Sequence, residues 1–253
     1  MKKVSREVLM MEELKQTVYM IAAVLTFGVV FIFAAWYFIS LFRYKSTDYF
    51  KVTHKSFFKM RFDKGNYGEY LCYRYLRYFE KRGAKFLYNC YLPREKGKTT
   101  EIDVLMIYKS GIYVLESKNY SGWIFGSEAS KNWTQTLPGK TKAHKEQFYN
   151  PIMQNRTHIR WLKNIIGNNV SVYSIIVFSE RCTLKKIDII DKSIKVIKRN
   201  ALLHTIKKID KSQKSKLSKE EILKLYDKIY PYSQVDDKVK EKHIRDIKKD
   251  YQK

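Results

Sequence analysis

Residues 100–118 read TEIDVLMIYKSGIYVLESK. An acidic opening, Glu101-Ile102-Asp103, runs into apolar residues. Ser110-Gly111 turns the chain, and a second apolar run closes on Glu116-Ser117-Lys118. Side chains alternate across a strand, so Asp103, Leu105 and Ile107 share one face and Ile102, Val104 and Met106 the other. On the return strand Glu116 and Lys118 point the same way, and a hairpin brings Asp103 to their face. Two carboxylates and an ammonium on rigid strands make a place to hold a divalent cation and activate water beside it. That is the chemistry of phosphodiester hydrolysis. The plainer alternative is an ion pair of Lys118 with Asp103 or Glu116 on a solvated strand end. The apolar character of both strands weighs against it, because buried carboxylates are costly unless paired or metal-bound.

Around this hairpin the periodicity predicts a helix from Asn66 to Arg82, with Leu71, Tyr75, Leu76 and Phe79 at helical spacing and Gly83 as the stop. Glu69 in its first turn complements the helix dipole or joins the carboxylates. A strand is expected over Phe86–Leu92. A short strand near residues 122–126 and an extended stretch at Trp133 follow. Residues 138–146 read as a basic, glycine-containing loop with Lys140, Lys142, His144 and Lys145, free in solvent or touching phosphate. Asn150-Pro151 starts a second helix, with proline at its first position. Gln154 and His158 lie on its early turns, His158 read as a surface or capping group. A strand over Val170–Phe178, a short one over 194–197 and a helix capped by Ser218 and Glu221 complete the pattern. Residues 233–253 read as a charged, fraying tail.

From Gln16 to Phe42 no residue is charged. That exceeds the ~20 residues a helix needs to cross a bilayer. Tyr19 lies near one end and Trp36-Tyr37 near the other, where interfacial aromatics belong. A cleaved signal peptide would have a shorter apolar core and a small-x-small site, which is not found. Basic residues after the span, Arg43, Lys45, Lys51, Lys55, Lys59 and Arg61, are nearly unopposed. The positive-inside rule then sets the large C-terminal part in the cytoplasm, as a single-pass protein of the cell membrane. The expected organisation is a tail (1–15), a transmembrane helix (16–42), a basic juxtamembrane linker (43–60), a catalytic-type domain (61–178), its C-terminal extension (179–232) and the charged tail (233–253). Residues 43–61 are an expected contact for anionic lipid.

The chain has 253 residues, with 50 Lys and Arg against 25 Asp and Glu, a formal charge of +25. Such a balance favours polyanions, either nucleic acid or an anionic membrane, although an AT-rich genome would also enrich lysine. Cys72, Cys90 and Cys182 show no CxxC spacing, so neither a zinc site nor a disulfide framework is indicated.

The ordered set Gly68-Glu69, Thr100-Glu101-Ile102-Asp103, Gly111 through Tyr120 with Glu116-Ser117-Lys118 inside it, Gly122, Trp133 and Asn150-Pro151-Ile152-Met153-Gln154-Asn155 resembles the nuclease-related domain, a branch of the PD-(D/E)XK nuclease superfamily, over roughly residues 61–178. The resemblance implies an α/β fold, a restriction-endonuclease-like mixed β-sheet flanked by helices, here preceded by one N-terminal transmembrane helix. It implies metal on Asp103 and Glu116; the Ser117 backbone carbonyl is a further expected ligand, with Mg²⁺ or Mn²⁺ as the ion. Lys118 maps onto the lysine of the ExK element, Glu69 onto the helical acid and Gln154 onto a glutamine after the core. Ser117 stands where the family usually has a hydrophobic or another small residue. The implied activity is metal-dependent cleavage of nucleic acid, DNA first. The alternatives are a non-catalytic nucleic-acid-binding module and a membrane-tethering scaffold. Nothing in the sequence sets strand preference or oligomeric state.

Overall fold

A computed structural model describes residues 2–139 and 143–251, with side chains placed for 10–139 and 143–249. Helix α1 runs from Lys2 to Lys45, and its apolar stretch remains exposed until its last turns. Two short helices follow where a linker is expected, α2 (Asp48–Thr53) and α3 (Phe57–Phe62), each started by a hydroxyl cap, Thr47 and Ser56. Helix α4 (Lys64–Glu80) is capped by Asp63, whose side chain accepts the Asn66 N–H. Strands β1 (Lys85–Pro93), β2 (Thr99–Tyr108) and β3 (Gly111–Lys118) then form an antiparallel meander. Strands β4 (Gly122–Ser127), β5 (Asn132–Leu137) and β6 (His144–Tyr149) form a second meander. Helix α5 (Pro151–Ile166) leads to β7 (Val172–Phe178), β8 (Cys182–Asp188) and β9 (Lys195–Lys198). Helices α6 (Leu202–Ser212), α7 (Lys219–Ile229) and α8 (Asp237–Tyr251) close the chain.

The fold is mixed α/β, as expected, but it holds two sheets. The first is ordered β1-β2-β3-β7-β9, antiparallel through β3 and parallel beyond it. The second is ordered β6-β5-β4-β8, with β8 parallel to β4. Helix α4 covers one face of the first sheet, burying Val104, Met106, Tyr113 and Leu115. Helices α5 and α7 cover the other, over Leu105, Ile107, Ile112 and Val114. Alternation thus sorts both faces of the hairpin as the sequence implies.

Three expectations change. The stretch read as a basic loop runs into β6, so His144 and Lys145 are strand residues paired with Leu137 and Thr136. Lys140 and Lys142 lie outside the described residues. The tail is helix α8, which returns to the domain: His243 is buried and its Nδ1 lies 2.9 Å from Thr99 Oγ1. The region after the apolar stretch of α1 is folded onto the domain, because Tyr44, Tyr49 and Met60 join the core beneath α4. Phe57 packs inward with them, whereas Phe58 and Phe62 face outward.

Trp133 holds the two sheets together. Its ring stacks on Phe178 of β7 at 5.9 Å and 2° and lies over Gly126, where a Cβ would sit 2.2 Å from the indole. Removing a large buried aromatic costs about 3–5 kcal/mol. Trp133→Ala should lower stability by that order in denaturant unfolding of the detergent-solubilised chain, followed by circular dichroism.

Candidate functional site

The site forms where the β2–β3 ladder opens. Tyr108 and Gly111 close the hairpin, and pairing runs outward to Val104 and Leu115. Hydrogen-bonded and non-hydrogen-bonded pairs alternate in an antiparallel ladder. The next step therefore sets Asp103 across from Glu116 in the non-hydrogen-bonded class, where facing side chains lie closest. Regular pairing stops there. The Ser117 N–H, which alternation would send to the Ile102 carbonyl, donates instead to Asp103 Oδ2 at 2.8 Å. The Ser117 carbonyl points to the same side of the strand as its N–H, so it faces this opening. On its other side β3 is secure: Glu116, Ser117 and Lys118 pair with Ile176, Val177 and Phe178 of β7.

The opposite neighbour of β2 also yields at this level. The β1–β2 ladder skips from Tyr88–Val104 to Cys90–Ile102, and the omitted residue, Asn89, has φ 49°. Asparagine tolerates this left-handed conformation better than most residues. Its Nδ2 donates to Glu69 Oε2 at 3.3 Å and to Glu101 Oε1 at 3.1 Å.

Glu116 is buried, with both oxygens engaged. Lys118 Nζ lies 2.7 Å from Oε1, and His158 Nε2 lies 3.0 Å from Oε2. Behind His158, Thr100 Oγ1 is 2.6 Å from Nδ1. Lys118 also donates to Gln154 Oε1 at 3.1 Å. Gln154 and His158 are four residues apart and so share one face of α5. Asn155 fixes that helix by donating to the Val114 carbonyl at 3.0 Å. Glu69 arrives from α4 on the other side of the sheet. Gly68 allows this close approach, since a Cβ there would lie 2.9 Å from Asn119 Cβ and 3.1 Å from Ser117 Oγ. The Glu69 carboxylate accepts Lys55 Nζ at 3.1 Å and the Tyr49 hydroxyl at 3.4 Å.

Of the residues picked from sequence, Asp103 thus bonds Ser117, Glu116 bonds Lys118 and Lys118 bonds Gln154, with Asp103 within electrostatic reach of Glu116 and Lys118. Glu69 stands beside them but is held by Lys55, Tyr49 and Asn89. His158, read from sequence as a surface or capping group, is instead buried against Glu116, and sequence reasoning passed over Lys55 and Asn89 as site residues. The four-residue spacing from Gln154 could have flagged His158. Lys55 looked like one of many linker cations.

The charges within the site are unequal. Burial, then Glu116 and Glu69, push the Asp103 carboxyl well above the usual aspartate range, and Lys118 offsets this only in part. Burial raises Glu101 as well. Burial also opposes ionisation of Glu116, but Lys118 and His158 outweigh it and hold its carboxyl below the usual glutamate value. Burial would lower Lys118, yet Glu116 and Asp103 carry it above the usual lysine value, so it persists as an ammonium.

This donor set suits a hard divalent ion. Among the described residues no three His, Cys, Asp or Glu side chains gather as a metal-binding group. Mg²⁺ commonly takes one or two carboxylates and keeps several waters, whereas zinc asks for more protein ligands. The electrostatic strain on Asp103 is of the kind a nearby cation relieves.

The sequence profile of the nuclease-related domain matches residues 64–179. An uncharacterized protein of Bacillus anthracis is 32% identical over 182 residues, which cover 72% of this chain and 82% of that relative. No solved structure matches the chain.

The raised Asp103 gives a signed expectation. The native state keeps this proton to higher pH than the unfolded chain, so stability falls as pH rises from ~4, the ordinary aspartate value, through the folded value. Asp103→Asn keeps an acceptor for Ser117 and removes the charge. It should therefore be more stable than the parent at neutral pH without divalent ions and lose that part of the pH dependence, as read by thermal melts from pH 4 to 8.

Proposed function

Since the chain belongs to the nuclease-related domain family, we propose that it hydrolyses phosphodiester bonds of nucleic acid, DNA before RNA, at the Asp103–Glu116–Lys118 cluster. The observation that carries this reading is the meeting of the three groups at the open end of the β2–β3 ladder, on the face covered by α5. Mg²⁺ or Mn²⁺ would be held by Asp103, Glu116 and the Ser117 carbonyl. Such an ion would supply polarisation of a phosphate oxygen and a stronger water nucleophile at neutral pH.

The protein's own groups do the rest. Lys118 remains charged, so it acts as a hydrogen-bond donor and electrostatic stabiliser of the phosphate oxygens, not as the proton acceptor. Gln154 and Glu116 fix its ammonium from two directions. His158, backed by Thr100, holds the second oxygen of Glu116 and so sets the orientation of that carboxylate. The net charge of +25 supplies attraction for a polyanion, so binding weakens steeply with salt.

We place the domain at a membrane, with α1 as the anchor and the basic flank keeping the domain in the cytoplasm. Among the described residues one helix, Met10–Lys45, is long and apolar enough to cross a bilayer, as a signal sequence near an N-terminus also is. Retention is favoured over cleavage because α1 continues without a break into Tyr44, which is buried in the domain core. A second reading, a binding module without catalysis, draws on the full engagement of both Glu116 oxygens within the protein.

The purified full chain, incubated with single- and double-stranded DNA and RNA, should cut with Mg²⁺ or Mn²⁺ and not with chelator. Loss of one preorganised electrostatic group commonly costs ~10²–10³ in rate. Lys118→Ala and Glu116→Ala should lose cleavage by about that factor while still binding DNA. A Glu116→Ala variant that cuts like the parent sinks the assignment; binding without cutting under every condition supports the second reading. Mg²⁺ should also raise the melting temperature of the parent but not of Asp103→Asn.

A further inference from the structure

The outward face of α3 is apolar and largely exposed. Phe58 and Phe62 are 58% and 76% exposed, and their rings stack at 6.0 Å and 11°. They are four residues apart, so they form one face of the helix, while Met60 on the other side is buried. This face continues the surface of α1: Tyr37 lies 5.7 Å from Phe57 and 5.8 Å from Phe58. Tyr37 is six residues before Arg43, so it lies ~9 Å along the helix axis from the first charge after the span. Helices that lie in a bilayer interface bury their apolar face ~5–10 Å below the headgroups, and the two depths agree. Lys59 and Arg61 are exposed next to the phenylalanines, with charge of the sign that anionic headgroups attract.

We propose that α3 is an interfacial helix whose Phe58–Phe62 face sits among the lipids of the membrane that α1 crosses. The lipid surface is the occupant because the patch adjoins the span and is edged by cations. This rests on the anchoring proposed above, and the experiment separates the two. The three native cysteines are buried, so a thiol-reactive NBD dye reports on an added one. Full-length chains with Phe62→Cys, Val29→Cys or the exposed Lys192→Cys are labelled and reconstituted in phosphatidylcholine–phosphatidylglycerol vesicles. Doxyl quenchers are placed near the headgroup or near the chain end.

The Phe62 label should emit to the blue of the Lys192 label and lose fluorescence mainly to the shallow quencher. The Val29 label should lose fluorescence to the deep one. A Phe62 label that behaves like Lys192 while Val29 is quenched overturns lipid docking and leaves the anchor. Quenching of neither overturns both. A Phe62 label unaffected by lipid quenchers but self-quenching as protein density rises assigns the patch to a second copy and also overturns the proposal.

Discussion

The hydrogen bond from the Ser117 amide to the Asp103 carboxylate is the constraint on which the site depends. A regular ladder would have used that amide for main-chain pairing, closing the hairpin to its end and leaving the carboxylates on an ordinary strand surface. Substituting a side chain for a backbone partner ends the pairing at one defined residue. It also turns a carboxylate towards a second carboxylate, against electrostatics. The arrangement persists because β7 holds β3 from the far side and because Asn89 lets β1 bend away at the same level. Lys118 then neutralises Glu116 and His158 helps to fix it, so the repulsion accumulates on Asp103. Strain gathered on one group in an otherwise well-paired sheet is the usual sign of a site shaped for chemistry and not for stability.

Much of this was legible in the sequence, for reasons that can be named. Strict alternation in residues 102–107 and 112–118 fixes which residues share a face, whatever the rest of the chain does. Helices α4 and α5 carried apolar stripes and recognisable ends. The second sheet was legible only in part: β4 and the stretch at Trp133 were expected as extended, whereas β6 and β8 were not. β6 is HKEQFY and mostly exposed, β8 is CTLKKID with two lysines, and their partners lie far away in sequence or beyond a turn. Polar strands that gain their order from pairing look like loops when read alone. Helix α8 is similar: its composition is that of a solvated tail, and its attachment rests on a few contacts such as His243 with Thr99.

Within the site the division is similar. Asp103, Glu116 and Lys118 belong to one hairpin, so local geometry places them together. Lys55 reaches Glu69 only because α2 and α3 fold back under α4, and no local signal announces that. His158 falls between these cases. Its four-residue relation to Gln154 was present, but a single histidine on a helix has no fixed meaning until the strand beneath it is known.

The burial of Tyr44 at the end of α1 has a mechanical consequence. An anchor joined through a floppy tether lets its cargo sweep a wide volume and tumble freely. Here the last turn of the long helix packs into the domain's own interior, where Tyr44 meets Tyr70 of α4, so no free linker separates the two. A folded unit of about 200 residues is roughly 40 Å across. Were α1 to cross a bilayer, as proposed, any polymer the domain acts on would have to approach to within about one such diameter, in a direction set by the tilt of a single helix.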